Sequence, residues 1–494
     1  MTTNTLRPKT WTIIIVGFVM FVALILRLYK VNEYAIFLSD QAIDSFAVKR
    51  ILEGAYTLLG PRASVGEFFN GPIVYYLMLP FYILFRLDPL SGTYFQITLQ
   101  IASIPFIFNI SRRMGGQLVG YLSTIIFALS PLLIYYSRAT FNAYPAIFFS
   151  TIIIWALTSK SIESSFQSQL TKNKIRCLLT FPTFLLFIAG LSTGILVQTH
   201  YLLYIYAIFY LLYVILFYQK PIRVAIYCAG VFFGLAPFIL FELRHDFFNI
   251  RAIINHVLSS SAIHISLIKV VESTLLAFGK IVGFPYATAG ILAIVITVWF
   301  LFKSQRTQTY RLLLFSFFAT IVSILLYRDY IQTHYIIGFH IFVLITSACM
   351  ITLFGKYERL LLPFIVVICW VILLRSNTFA IAPEHDGLSL LDQRMIAQQI
   401  VTHVPADLWN LSQDAQQDNR AMPIRYLISL YPQIKQPLPV ENYSANKYLY
   451  VVYKTNKPLS KIRTWEVQSF GKSYVEIIKT KINNTYSLSL LMKI

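Results

Sequence analysis

The sequence contains few side chains that could do chemistry, and most of them lie close to the ends of long apolar runs. Asp40 is the first of these, because it follows an apolar stretch and opens a predicted helix, Gln41–Glu53, whose polar face carries Asp44 and Lys49. A carboxylate can act as a general base. It can also cap a helix by accepting hydrogen bonds from the first free backbone amides, and position alone favours this simpler role.

Arginine, histidine and tyrosine side chains also lie near ends of the apolar runs, at the ends that are predicted below to face the outside of the membrane. Arginine can bind two phosphate oxygens through its planar guanidinium group, but at a membrane surface it often only reaches towards the lipid headgroups. A single histidine at such a position proves little. The candidates besides Asp40 are Gln41, Glu67, Tyr136, Arg138, Asn142, His200, Glu242, Arg244, His334 and Tyr335.

The joint placement of these residues is more informative than any one of them. Carboxylates, arginines and histidines converge on the outer boundary of the membrane, whereas the middle of the apolar runs is almost free of ionisable groups. Transporters and proton pumps place such groups inside the membrane. The pattern therefore favours an active site at the outer membrane surface that receives a substrate from the lipid.

The elements that must position these residues are predicted to be transmembrane helices. The chain has 494 residues, of which 57% are hydrophobic and only 13% are charged, whereas soluble proteins carry roughly a quarter charged residues. A span needs about 20 apolar residues, and we predict eleven spans, of which Trp11–Leu26 is the first. The others are Thr93–Ile110, Gln117–Ile134, Pro145–Leu157, Cys177–Gln198, Tyr201–Tyr218, Ala225–Phe241 and the ranges 283–302, 312–327, 336–354 and 360–374. Ile73–Leu84 is short for a span and is interpreted as juxtamembrane or re-entrant.

Short clusters of basic residues between the runs set the orientation and account for the net charge of +20. Because Lys and Arg accumulate in cytoplasmic loops, we predict that the N-terminus, Arg112-Arg113 and Lys220 lie inside. The loop 31–91 and the tail then lie outside the plasma or inner membrane. The first run lacks a clear cleavage site and is interpreted as a retained span. A nucleic-acid partner is not expected, since no binding motif is present.

Two domains are predicted: a transmembrane domain, residues 1–375, and a small soluble α/β domain outside the cell membrane, residues 376–494. Alternating residues in Tyr448–Val452 and Val475–Ile478 indicate strands, and Leu391–His403 is predicted to be a helix. We expect this tail to fold independently and to carry no catalytic group. Its core would be built with the help of Trp409, Leu427, Tyr450 and Trp465. All four cysteines fall within or beside apolar runs and none forms a Cys-x-x-Cys pair, which indicates buried apolar residues.

A series of motifs runs through residues 11–150. Asp40, beside the first span, is followed by a helix and by Gly71-Pro72-Ile73-Val74-Tyr75-Tyr76. A basic inner loop, Arg112-Arg113-Met114-Gly115, comes next, and Leu129-Ser130-Pro131 then leads to Tyr136-Ser137-Arg138 and Asn142. In this order the motifs resemble the GT-C glycosyltransferases that use polyprenyl-phosphate sugars, such as the protein O-mannosyltransferases and the lipid A aminoarabinose transferases. The later spans fit that family mainly by topology.

This resemblance implies an inverting hexosyl- or pentosyltransferase that moves a sugar from a polyprenyl phosphate to a hydroxyl or amine of a glycan, lipid or protein acceptor. The catalytic Asp of the family falls on Asp40, which outweighs the capping role. For the donor phosphate we name Arg138 and Arg244 first, and His200 and His334 after them. No cofactor is implied. The nearby carboxylates are too few to demand a metal, although a divalent ion stays an open alternative.

Two departures from the family stand out. Many relatives have Glu after the catalytic Asp, where this chain has Gln41, and several have Asp at the position of Asn142. They indicate a distinct subfamily and leave the acceptor open. Two other functions also stay open: a flippase or transporter of lipid-linked sugars, which would have a polar lining through its spans, and a non-catalytic membrane scaffold.

Overall fold

The computed structural model describes residues 8–63, 66–159, 181–259, 266–281, 286–303, 308–327, 330–353, 387–415, 418–471 and 473–494. Up to residue 353 the regular structure is helical, and a four-stranded sheet with short helices follows near the C-terminus. The structure therefore confirms the mostly helical part of the predicted class and the presence of a small sheet near the C-terminus.

The candidate residues lie on or between the helices of the first part. They are α1 (Pro8–Leu28), α2 (Val31–Tyr34), α3 (Ser39–Leu52), α4 (Ile73–Leu84), α5 (Leu90–Leu129), α6 (Pro131–Ser137), α7 (Ala146–Leu157), α8 (Phe181–Thr199), α9 (Leu203–Tyr218), α10 (Pro221–Arg244), α11 (Phe248–Ser259), α12 (Leu267–Ile281), α13 (Ala287–Lys303), α14 (Gln308–Tyr327), a 3₁₀ helix (Thr333–Phe339) and α15 (His340–Leu353).

Among the described residues, five helical segments are long and apolar enough to cross a membrane, and the bent pair of α5 and α6, with an angle of 57° between them, would make a sixth. The five are Thr10–Leu28, Phe181–Thr199, Pro221–Arg244, Gln308–Tyr327 and Thr333–Thr352. Several other predicted spans are shorter apolar helices, so the number of eleven is not confirmed by the described residues. The predicted span 360–374 lies outside them.

The long helix α5 changes direction next to its basic residues. The backbone leaves the helical conformation at Gly115, with φ −142°, and at Gly116, with φ 87°. This break directly follows Arg112 and Arg113, where the sequence predicts a turn between two spans. A positive φ strains residues that have a Cβ atom, so Gly116 is well suited to this position.

Helices α8 and α10 pack backbone to backbone. A Cβ atom added at Gly190 would lie 2.0 Å from the carbonyl oxygen of Tyr227, and one at Gly194 would lie 2.4 Å from that of Val231. Only glycine allows an approach this close, as in small-residue helix crossings of membrane proteins. The crossing fixes the C-terminal end of α8 and that of α10, next to which His200, Glu242 and Arg244 lie.

The C-terminal domain contains α16 (Leu390–Thr402), β1 (Trp409–Asp414), α17 (Met422–Ile428), β2 (Tyr448–Lys454), α18 (Trp465–Phe470), β3 (Tyr474–Lys481) and β4 (Tyr486–Lys493). The sheet has the order β1-β2-β4-β3, and only β1 and β2 are parallel. The predicted helix and both predicted strands are therefore found.

Three of the four aromatic and aliphatic residues proposed for the core of this domain are buried. Trp409 and Tyr450 pack edge to face, with ring centroids 5.8 Å apart, and Leu427 lies beside them in the same cluster. The prediction for Trp465 is wrong, since this side chain is 57% exposed. It occupies the first position of the short helix α18, at the edge of the domain.

The C-terminal domain is closely packed against the segment 31–91. The guanidinium group of Arg394 lies 2.8 Å from each carboxylate oxygen of Asp88, and Lys49 donates a hydrogen bond of 2.7 Å to the carbonyl of Ser429. Leu390 and Tyr426 belong to one buried cluster with residues of α3 and α4. Independent folding of the tail stays a prediction, but its core is continuous with that of this segment.

Candidate active site

Asp40 lies in the first turn of α3 but does not cap it. The N-cap is Leu38, and its backbone N–H donates to Oε1 of Gln41 at 2.9 Å. The Asp40 carboxylate accepts no hydrogen bond and forms no ion pair with any residue that the structure describes. The side chain is exposed at one edge but partly buried elsewhere. This partial burial raises the pKa of the carboxyl, and the charge of nearby Asp418 raises it further. The simpler capping hypothesis is therefore wrong.

Gln41 holds the start of α3 in place. Its side chain is buried, and Nε2 donates to the carbonyl oxygen of Thr140 at 3.0 Å while Oε1 accepts from Leu38. A glutamate could not make both contacts, because an ionised carboxylate has no N–H or O–H to donate to a carbonyl oxygen. The hydrogen bond to Thr140 therefore explains why this chain has Gln41 where many members of the resembled family have Glu.

Asp44, one turn after Asp40, is a second carboxyl in this region. It is 5% exposed, and the hydroxyl of Tyr75 donates to its Oδ1 at 2.8 Å. Tyr75 comes from the Gly-Pro-x-x-Tyr-Tyr motif, whose Gly71 donates its backbone N–H to the carbonyl of Gln198 at 3.1 Å. The motif thus connects α8 with the helix that carries Asp40. The sequence places Asp44 on the polar face of a predicted helix, but no pattern in the sequence assigns it to the site.

His200, His334 and Tyr335 form one aromatic cluster at the end of α8. The ring centroid of His200 lies 5.7 Å from that of His334 and 5.3 Å from that of Tyr335. Tyr335 also shares a hydrogen bond of 3.0 Å with the hydroxyl of Tyr327. The structure therefore brings His200 together with the adjacent pair His334 and Tyr335, which the sequence places beside a different span.

His200 is held in one protonation state. Its Nδ1 accepts a hydrogen bond of 3.3 Å from the backbone N–H of Leu202, so Nε2 carries the proton of the neutral ring. Burial, with a smaller contribution from nearby His334, lowers the pKa of His200 well below its usual range. Asn142 supports this region, because its Nδ2 donates to the carbonyl of Thr199 at 2.9 Å. His200 is thus suited to donate a hydrogen bond without taking up charge.

The Arg138 side chain binds backbone carbonyls at the end of α1. Its buried guanidinium group donates to the carbonyl of Leu26 at 2.8 Å and to those of Arg27 and Tyr29 at 3.4 and 3.2 Å, at the end of α1. Free carbonyls at a helix C-terminus attract a cation. Only Nη1 lacks a hydrogen-bond partner among the described residues, and it too is buried. The geometry does not support the prediction that Arg138 binds the donor phosphate.

Tyr136 and Glu242 have supporting positions as well. The ring of Tyr136 is buried and stacks on Tyr144, with centroids 4.0 Å apart. Glu242 is buried at the end of α10 and accepts from the side chain of Asn249 at 2.8 Å and from the backbone N–H of Ile250 at 3.2 Å. The sequence predicts both as site residues. In the structure, Tyr136 contributes to packing, and Glu242 binds the start of α11.

Besides Asp40, Glu67 and Arg244 are the candidates whose side chains are exposed. Glu67 lies in the loop whose Phe69 donates its backbone N–H to Asn249 at 2.7 Å, next to the end of α10. Among the residues that the structure describes, no three His, Cys, Asp or Glu side chains are grouped so that they could hold a metal ion.

Comparison with known proteins identifies the fold. The sequence matches no family model and no curated protein, but the structure has the GT-C fold, the fold of known membrane glycosyltransferases. ArnT from Cupriavidus metallidurans, in a structure bound to undecaprenyl phosphate, superimposes with a TM-score of 0.61 at 12% sequence identity over 98% of each chain.

The oligosaccharyltransferase AglB from Archaeoglobus fulgidus, in complex with an inhibitory peptide and a dolichol-phosphate, gives a TM-score of 0.53 at 11% identity. That match covers 90% of this chain and 69% of AglB. The predicted resemblance is thus confirmed at the level of the fold, and with the apolar helices it indicates an integral membrane protein.

Proposed function

We propose that this protein is a membrane glycosyltransferase that moves a sugar from a polyprenyl phosphate to an acceptor on the outer side of the membrane. One observation carries the proposal. In a chain with the GT-C fold over almost its whole length, the carboxylate of Asp40 opens a helix without capping it and without an ion pair to any described residue. A partly desolvated ionisable group that the fold does not use is a candidate for chemistry.

The donor is proposed to be a polyprenyl-phosphate sugar, because the ArnT structure contains undecaprenyl phosphate and the AglB complex contains a dolichol-phosphate. The isoprenoid chain would lie against the apolar helices and the phosphate at their outer ends. Arg244, which is exposed there, supplies a cation. The Nε2–H of His200 supplies a neutral donor, and His334 lies beside it.

In the proposed reaction, Asp40 removes the proton from an acceptor hydroxyl or amine as that oxygen or nitrogen attacks the anomeric carbon of the sugar. The bond from this carbon to the phosphate oxygen breaks, and the phosphate leaves with the bonding electrons. Attack from the opposite face inverts the anomeric configuration. Charge-assisted hydrogen bonds to the departing phosphate lower the barrier, and a positioned general base contributes roughly 10²–10⁴-fold.

Mass spectrometry of surface glycans and lipids tests the function in cells that lack the protein. A modified glycan or lipid should be lost without the protein and restored by the wild-type chain, but not by Asp40→Asn. Glu53→Gln is the matched control, since Glu53 is an exposed acid at the other end of the same helix. Unchanged glycans and lipids in the deletion strain would contradict the proposal.

A further inference from the structure

Asp44 is a buried carboxyl in an unusual environment. Its side chain is 5% exposed and accepts a hydrogen bond from the Tyr75 hydroxyl. It forms no ion pair with any of the described residues. Buried carboxylates are generally paired with a cation or with several donors. The same two helices are also joined one residue later by a neutral pair, Ser45 and Tyr82, whose hydroxyls lie 2.7 Å apart. Joining α3 to α4 therefore does not by itself require an acid at position 44.

The position of Asp44 relates it directly to Asp40. The two residues are four apart on one helix, so their side chains lie on the same face with Cβ atoms about 5–6 Å apart. Burial raises the pKa of Asp44 to about 7, the Tyr75 hydrogen bond opposes this, and the charge of Asp40 adds to it. The charged and titratable groups around this part of α3 are Asp40, Lys49, Arg50, Tyr75, Tyr82, Asp418 and Tyr426.

We propose that Asp44 is a positioning residue for the Asp40 base: a buried carboxyl, fixed by Tyr75 one helical turn away, whose ionisation sets how strongly Asp40 holds a proton. The proposal rests on the proposed glycosyltransferase function. Below neutral pH, Asp44 is protonated and Asp40 carries the charge. Above it, Asp44 is ionised as well, and a second negative charge nearby makes Asp40 a stronger base. The rate of transfer should therefore rise a second time as the pH passes through about 7.

The pH dependence of transfer tests this in the full-length protein. The donor probe is the pool of polyprenyl-phosphate sugars from the native host, labelled metabolically with ¹⁴C, and membranes of the deletion strain supply the acceptor. Between about pH 6 and pH 8 the wild-type rate should rise roughly three- to tenfold. Asp44→Asn keeps an oxygen for Tyr75 but cannot ionise, so its rate should stay flat over that range.

Two further variants separate charge from packing. Tyr82→Phe removes a neutral buried hydrogen bond between the same helices, and it should keep the rise. Tyr75→Phe removes the hydrogen bond that lowers the pKa of Asp44, and it should move the rise to higher pH. An infrared titration of the purified proteins provides a readout that does not need transfer. A carboxylic acid band that disappears near pH 7 should be present in the wild type and in Tyr82→Phe, and absent in Asp44→Asn.

The outcomes distinguish this proposal from the proposed function. If Asp44→Asn keeps the wild-type rise, or if its infrared band is unchanged, Asp44 does not act on Asp40, while transfer by the wild-type chain still supports a glycosyltransferase. A wild-type protein that transfers no labelled sugar contradicts the proposed function, and this proposal with it.

Discussion

At Asp40, the carboxylate is not needed to cap the helix, because Gln41 satisfies the N-cap amide. We therefore expect Asp40→Asn to lower transfer by roughly 10²–10⁴-fold, the usual contribution of a general base. The free energy of unfolding should change by no more than about 0.5 kcal/mol, as for most exposed positions. Transfer of labelled sugar and thermal unfolding in detergent measure the two effects on one preparation.

Glu53→Gln is the control for this variant and should retain transfer, since it removes an exposed acid from the same helix. An Asp40→Asn protein that is folded and still transfers sugar at the wild-type rate would exclude Asp40 from the mechanism. A protein that loses stability instead would show that the carboxylate has a structural partner.

How far the site could be predicted depends on where each side chain finds its partner. Asp40 can be proposed from the sequence because its motif is local, within one helix start and the following Gly-Pro segment. The contact of Arg138 cannot be predicted in this way, because its partner carbonyl belongs to Leu26, 112 residues earlier in the chain. The importance of Asp44 depends on Tyr75, 31 residues later, and no local pattern indicates that pairing.

At the scale of elements, the crossing of α8 and α10 sets the positions of His200 and Arg244, which lie at the ends of these two helices. Gln198, near the end of α8, bonds to the carbonyl of Gly234 on α10 and accepts the backbone N–H of Gly71. A Cβ atom at Gly194 would lie 2.4 Å from the carbonyl of Val231 and would force the helices apart. Gly194→Ala should therefore lower the free energy of unfolding by about 1–3 kcal/mol and also reduce transfer.

Gly17→Ala is the matched control, because nothing lies within 4 Å of a Cβ atom added at Gly17 in α1. It should leave stability unchanged or increase it slightly, since alanine favours a helix more than glycine does. Thermal unfolding of both variants in the same detergent makes the comparison. Equal effects would show that the crossing has room to adapt.

The sequence predicts which segments form helices and strands better than it predicts the length of each apolar helix. The turn between the second and third predicted spans falls at the break after Arg113, because basic residues and two glycines mark it in the sequence. The strands Tyr448–Lys454 and Tyr474–Lys481 contain the predicted segments. The length of each apolar helix, in contrast, depends on how neighbouring helices pack, which hydropathy alone does not describe.

At the scale of the whole molecule, the C-terminal domain completes the surface around Asp40. Tyr426 is fully buried at this junction, its ring centroid lies 5.2 Å from that of Phe46, and its hydroxyl donates to the carbonyl of Leu87 at 2.7 Å. Tyr426→Ala should weaken docking by about 3–5 kcal/mol, the usual range for removing a buried aromatic ring. It should also lower transfer, because the Asp418 carboxylate would move away from Asp40.

Hydrogen exchange measures this docking directly, as a loss of protection in α3 and α17. Tyr431→Ala, in the same domain but with a side chain that is 39% exposed, is the control and should leave protection unchanged. Full protection of α3 in Tyr426→Ala would show that the domain is held by other contacts. Lowered transfer in that variant would then need another cause.

The contacts between the C-terminal domain and α3 also constrain the topology, because they require both to lie on one side of the membrane. The positive-inside rule predicts that this side is outside and that Arg112 is inside. In a chain without native cysteines, an impermeant maleimide applied to whole cells should label Glu53→Cys and Asn484→Cys, two exposed sites on α3 and in the turn between β3 and β4. Arg112→Cys should react only after the cells are opened. Labelling of one outer site without the other would contradict the docked arrangement, whereas labelling of Arg112→Cys alone would keep the fold and reverse its orientation.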